Sequence, residues 1–190
     1  DANVRKAIRL MAQIPLIIAT AHRLANGKPR VEPQADLSFA ENLLYLLTDR
    51  RGDEQATAMA HVLDVSFTLY AEHEFNASTF SARVTASTMT DLHSAITSAI
   101  GTLKGPLHGG ANEAVAEMFL GIKSRERAEP WVRASLANKH RIMGFGHRVL
   151  KKGDSRSAII QQHAESLSRI CGDRRWYEIA TTIDRVVQQE

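Results

Sequence analysis

Cysteine is almost missing: Cys171 stands alone among 190 residues. One thiol cannot close an internal disulfide, and this fits a reducing compartment. Long apolar runs are missing too. The longest such stretch, Ile14 to Ala21, falls far short of a bilayer span, and no signal-peptide pattern appears. Charge of one sign is not in marked excess: 24 Lys and Arg face 21 Asp and Glu, for a net charge of +3. The basic residues form no single block, so nucleic-acid binding is not implied, while a basic cleft for a small anion stays open. Sustained alternation of period two is lacking, and so are repeats and low-complexity linkers. The first of these absences argues against sheet.

What remains is helical pattern in an ordinary globular composition, 44% hydrophobic and 24% charged. At this length roughly 70% of the unfolded surface should be buried on folding. Val4, Ile8, Met11 and Ile18 predict a first helix, kinked at Pro15 and ended by Asn26-Gly27-Lys28-Pro29. Ser38-Phe39-Ala40-Glu41 reads as a capping box opening a second helix through Leu47. Asp53 can cap a third, running to about Ala71 with Met59, Leu63 and Tyr70 on one side. Asn76 to Ser87 is small and polar enough for close helix packing. Further helices are expected over Asp91–Leu103 and Asn112–Ile122, and from Glu129-Pro130-Trp131 to about Asn138, with Pro130 in a first turn. Asp154 is expected to cap a helix carrying Ile160, Ala164, Leu167 and Cys171, the last as a core residue. A final helix carries Trp176, Ile179, Ile183 and Val187. The sequence opens Asp1-Ala2-Asn3 and stops within helical pattern, and it reads as a portion of something longer.

Two histidines lie in glycine-rich turns. His108 follows Gly105-Pro106-Leu107 and precedes Gly109-Gly110-Ala111-Asn112-Glu113; His147 follows Met143-Gly144-Phe145-Gly146. Glycine lets backbone approach a ligand closely and leaves an imidazole uncrowded. His108 just precedes a helix start, whose amides favour a neutral ring able to donate to developing negative charge. Gly144-Phe145-Gly146 suggests a backbone loop around a flat ligand such as a purine. Arg148, Lys151, Lys152 and Arg156 crowd the same region, a cluster that suits phosphate or carboxylate as well as a solvated face. Glu72-His73-Glu74-Phe75-Asn76 places a histidine between acids, but its spacing matches no zinc motif. His22, His61, His93, His140 and His163 read as structural or surface residues.

Taken in order, Glu72–Thr79, Gly105–Glu113 and Met143–Val149 with Asp154-Ser155-Arg156 resemble the citrate synthase family. The wording around His73 and the Gly153-Asp154-Ser155-Arg156 ending look most like bacterial 2-methylcitrate synthases and their close citrate synthase relatives. The likeness covers most of the chain. It implies an all-α, citrate-synthase-like fold with a portion of a large helical domain over residues 1–110 and a small domain over 111–190, both truncated relative to the family. It implies a cytoplasmic homodimer that condenses acetyl-CoA or propionyl-CoA with oxaloacetate and then hydrolyses the thioester. The acyl-CoA enters as substrate, with no permanently bound cofactor, metal, nucleic acid or membrane involved.

By motif match, His108 would hydrogen-bond the thioester oxygen as the enol forms, and His147 would polarise the oxaloacetate carbonyl. His73 and Arg156 would bind carboxylate or product oxygens. The backbone of Ile142, Met143, Gly144, Phe145 and Gly146 would meet the CoA adenine. The helices from Asp53 to Ser87 would build much of the dimer contact. Ser155 stands where many members have proline, a subfamily variant. The family's catalytic aspartate is expected beyond this sequence, because Asp184 lacks the surrounding motif; the 190 residues alone are therefore expected to be inactive. A catalytically inactive dimerisation or CoA-binding module of the same fold is the alternative reading, with a histidine metalloprotein a distant third.

Overall fold

The computed structural model describes residues 1–71, 75–146 and 153–190. All regular structure among these residues is α-helical: α1 Ala2–Ala25, α2 Phe39–Thr48, α3 Glu54–Tyr70, α4 Ala77–Ser87, α5 Leu92–Leu103, α6 Gly110–Ile122, α7 Arg125–Ala137, α8 Ser157–Ile170 and α9 Arg175–Gln189.

Short polar side chains set most of the starts. The Ser38 hydroxyl accepts from the Glu41 amide at 3.4 Å, and the Glu41 carboxylate accepts from the Ser38 amide at 2.8 Å, which completes the expected capping box of α2. Asp53, Asn76 and Asp91 accept from Ala56, Thr79 and Ser94 amides at 2.8, 2.9 and 3.0 Å. Each supplies an oxygen to an amide that lacks a helical acceptor. Other starts differ from expectation. α6 opens at Gly110, two residues before Asn112. α7 opens at Arg125, so Pro130 lies inside it rather than in its first turn; only the bond to the Glu126 carbonyl is forgone. α1 likewise continues through Pro15. Asp154 does not cap α8: its carboxylate is held by the Arg156 guanidinium, and α8 has no side-chain cap.

Two apolar clusters form. Ile122, Ala128, Val132, Ile142, Ile179, Ile183 and Val186 make the larger one, joining α6, α7 and α9, with Phe145, Trp131 and Trp176 packed around it. Full burial of each isoleucine is worth about 1.5–3 kcal/mol. Leu44, Ala56 and Ala60 make the smaller one between α2 and α3. In the first half α1 packs on α2 and α5, α2 on α3, and α4 on α5, where Ser81 and Ser98 hydroxyls meet at 2.6 Å. In the second half α9 packs on α6, α7 and α8. The main contact between the halves is α3 against α8.

The apolar stripe of α1 does not enter a core. Val4, Ile8, Met11 and Ile18 remain 54–66% exposed. Its helical spacing is as the sequence indicates, but no described element covers it. Cys171, expected in the core, is half-buried at the end of α8.

Candidate active site

The turn between α5 and α6 carries His108. Its backbone doubles back sharply: the His108 amide donates to Gly105 O at 2.9 Å, Gly109 to Leu103 O at 2.9 Å, and Gly110 to Gly105 O at 3.2 Å. A Cβ on Gly109 would lie 2.6 Å from Leu103 O, and one on Gly110 would lie 3.0 Å from Gly105 O. The glycine pair is thus required by close backbone approach, independently of any ligand.

This turn turns the imidazole toward the start of α4. His108 Nε2 lies 2.9 Å from the Ser78 hydroxyl and 3.3 Å from the Ser78 backbone N–H. An amide can only donate and its direction is fixed, so Nε2 is assigned as acceptor. In the neutral ring the proton then sits on Nδ1. The Ser78 hydroxyl can turn to Nε2 or to Asn76 Oδ1, 2.7 Å away. One residue, Asn76, therefore caps α4 and orients the serine that orients the histidine. Ser78 was not singled out from sequence, although it lies within the Glu72–Thr79 stretch; the contact spans 30 residues and carries no local signal.

Residues Ile142–Gly146 follow α7. Ile142 is buried and Phe145 packs on the larger cluster, so these side chains anchor the segment and leave its backbone to any ligand. Gly144 and Gly146 have φ of +93° and +76°, a region that side-chain-bearing residues rarely adopt. The glycines on either side of Phe145 let the chain curve while that ring stays docked.

Arg156 precedes α8. Its Nε and Nη2 grip Asp154 at 2.9 and 2.6 Å, and its guanidinium lies 5.3 Å from the Tyr70 ring centroid at the end of α3. The Asp154 hydrogen bond raises the guanidinium pKa above its ordinary value, so the positive charge is fixed. Nη1 is buried with no hydrogen-bond partner among the described residues. A buried donor without an acceptor is costly, by about 1–3 kcal/mol, and is suited to an incoming anion. Arg156, Tyr70, Phe119, Ile160 and Trp176 line a cavity of about 730 Å³ along α8 and α9. Tyr70 and Trp176 look like stripe residues in the sequence; the packing of α8 against α3 and α9 makes them cavity wall. Asp184 also lines it, but is exposed on α9 and accepts from Gln188 Nε2 at 2.9 Å, an ordinary surface pair.

His108 does not line this cavity. His73 and His147, and the basic residues Arg148, Lys151 and Lys152, lie outside the described residues. The described part of the site therefore consists of two pieces: an imidazole of fixed tautomer at the α5–α6 turn, and a charge-locked guanidinium with a spare donor at the start of α8.

Residues 1–190 match the family model described as citrate synthase, C-terminal domain. The chain is 46% identical over 190 residues to citrate synthase 2 of Bacillus subtilis, covering 100% of this chain and 50% of that protein. It is 50% identical over 182 residues to citrate synthase of Synechocystis, covering 96% and 45%, and 46% identical over 178 residues to 2-methylcitrate synthase of Mycobacterium tuberculosis, covering 94% and 44%. It thus spans about half the length of the curated relatives it matches. Among solved structures, citrate synthase from Pyrobaculum aerophilum aligns with TM-score 0.83 and 38% identity over 98% of this chain and 46% of that one. The Thermoplasma acidophilum enzyme, in ternary complex with carboxymethyl coenzyme A and oxaloacetate, aligns with TM-score 0.78 and 35% identity over 92% and 45%. A family model matched end to end, on an all-helical fold shared with these structures, places the chain in the citrate synthase family.

Proposed function

We propose that this chain forms part of an enzyme condensing a short acyl-CoA, acetyl or propionyl, with oxaloacetate to give citrate or 2-methylcitrate and free CoA. The observation that carries the reading is the His108–Ser78 geometry, lying within a chain that matches its family model from end to end. A thioester α-proton is a very weak acid, so its removal needs a fixed donor at the carbonyl oxygen, where the enolate charge develops. With Nε2 occupied by Ser78, His108 offers Nδ1–H for that purpose. His147 donates to the oxaloacetate ketone and makes it the electrophile. The enol carbon then attacks that ketone, forming the new C–C bond, and water cleaves the thioester to release CoA.

Arg156, with its charge fixed and Nη1 without a partner among the described residues, takes a substrate carboxylate, assisted by His73. The Ile142–Gly146 backbone meets the CoA adenine. The base is a carboxylate from outside this sequence, so the 190 residues alone do not turn over. We assign residues 1–110 to a large domain and 111–190 to a small one, in line with α3–α8 as the main contact between the halves. The exposed stripe of α1 and the exposed Phe80 and Val84 of α4 support burial against further chain or a second copy in a homodimer. No described helix is long and apolar enough to cross a membrane, and the lone cysteine suits a cytoplasmic setting.

The test is kinetic, on an enzyme carrying this sequence. His108→Ala should lower kcat by at least about a hundredfold, as loss of one oxyanion donor does. Ser78→Ala should lower it by about tenfold, with the oxaloacetate KM little changed. A His108→Ala enzyme within a few-fold of wild type would sink the assignment.

A further inference from the structure

Arg156 is held from two directions, and only one hold is local. Asp154 takes Nε and Nη2 with its two carboxylate oxygens, at 2.9 and 2.6 Å. That pair fixes the charge and fills one edge of the fork. Both partners sit on the same short stretch before α8, however, and can tilt together. The other hold comes from across the α3–α8 contact. Tyr70, the last residue of α3, sets its ring centroid 5.3 Å from the guanidinium carbon. The face of an aromatic ring attracts a cation and favours a guanidinium lying over it. The Arg156 side chain is 19% exposed, and its Nη1 is buried. Both residues line the cavity along α8 and α9.

We propose that Tyr70 is a positioning residue for the substrate carboxylate: its ring fixes the plane of the Arg156 guanidinium, so that Nη1 stays aimed at the anion. This role rests on the reading of Arg156 as a carboxylate-binding group. The division of labour follows from the chemistry of the fork. Asp154 uses the Nε–Nη2 edge and Tyr70 uses the π face. The two N–H groups of Nη1 remain without a partner among the described residues. Arginine has a flexible stem, and fixing it before the anion arrives removes an entropy cost from binding. A ring does this without competing for donors, as a second carboxylate would. Tyr70 is 58% exposed, so it adds little to a core, and its described partner is the arginine. The attraction comes from the ring and not from the hydroxyl, so phenylalanine can serve in its place.

The experiment compares Tyr70→Leu, Tyr70→Phe and Arg156→Gln in an enzyme carrying this sequence, with oxaloacetate affinity read by calorimetry and both KM values by kinetics. Tyr70→Leu should weaken oxaloacetate binding and raise its KM by about five- to twentyfold, the factor a partly desolvated cation–π contact supplies. The acyl-CoA KM and kcat should stay within about twofold. Tyr70→Phe keeps the ring and should hold oxaloacetate affinity to within about twofold of wild type. Added to Arg156→Gln, Tyr70→Leu should have no further effect, as expected of a residue that acts through the guanidinium. If Tyr70→Leu disturbs folding, seen as lost helical circular dichroism, the unbranched Tyr70→Met decides in its place. Affinity unchanged in Tyr70→Leu but weakened in Arg156→Gln would overturn the positioning role alone. Affinity unchanged in Arg156→Gln would overturn the carboxylate reading and this role with it. Equal losses in Tyr70→Leu and Tyr70→Phe would also overturn the role, since the hydroxyl and not the ring would then be acting.

Discussion

Arg23 Nη1 and Asp49 Oδ1 lie 2.8 Å apart, and the arginine is 4% exposed while the aspartate is half in solvent. The guanidinium also donates from Nε to Pro29 O at 2.6 Å and from Nη1 to Leu46 O at 3.3 Å. It thereby joins the end of α1, the loop that follows it and the end of α2. Arg23→Ala removes the donor to two carbonyls and empties a buried site, with an expected loss of about 2–4 kcal/mol in urea denaturation. Asp49 has φ of +63°, which asparagine tolerates well, so Asp49→Asn isolates the charge. Its half-exposure limits the loss to about 1 kcal/mol or less. Equal effects from the two substitutions would show that the ion pair, not the carbonyl bonds, holds this corner.

Gly109 and Gly121 make a matched comparison, since α6 contains one and begins just after the other. Gly109→Ala places a methyl 2.6 Å from Leu103 O, the atom that accepts the Gly109 amide. Backbone must move, so the substitution should destabilise by about 1–3 kcal/mol and shift His108 away from Ser78. Gly121→Ala meets nothing within 4 Å in the last turn of α6 and should stabilise by up to about 1 kcal/mol. Thermal unfolding of both variants gives the signs directly. Stabilisation by Gly109→Ala would mean that the turn is looser than its hydrogen bonds indicate.

The contrast between these glycines shows where the sequence could be read. Local chemistry was legible: Ser38 with Glu41, and Asp53, announce their helices because a cap needs only residues three positions apart. The glycines around His108 and Phe145 marked two real turns, though at Gly109 and Gly110 the cause is close approach to Leu103 and Gly105. Asp154 misled, because among the described residues its carboxylate meets the guanidinium and backbone amide of Arg156, and not the amides of α8. The exposure of the α1 stripe could not be read, since periodicity tells which residues share a face and not what lies opposite. The contacts that shape the site, Ser78 with His108 and Tyr70 with Arg156, span long stretches of chain and depend on α4 packing on α5, whose following turn carries His108, and on α3 meeting α8. The family motifs located His108 and Arg156; the pairing of helices supplied their partners.

Acid should act through Glu129, on α7. Its carboxylate accepts from Arg185 Nη2 at 2.9 Å on α9 and from Arg133 at 2.8 Å. The Arg185 hydrogen bond, followed by that of Arg133, holds its pKa below the ordinary value of 4.5. A carboxyl with a depressed folded-state pKa favours the ionised form in the folded chain. Its contribution is therefore fully present above the unfolded value and fades as pH falls through the folded one. Glu129→Gln should lower the urea midpoint near pH 7, with the gap to wild type closing below about pH 4. The side chain is 37% exposed, so about 1 M salt should shrink the neutral-pH gap as well. A gap that persists unchanged in acid and in salt would mean that the side chain contributes by packing between α7 and α9, and that its charge does not matter.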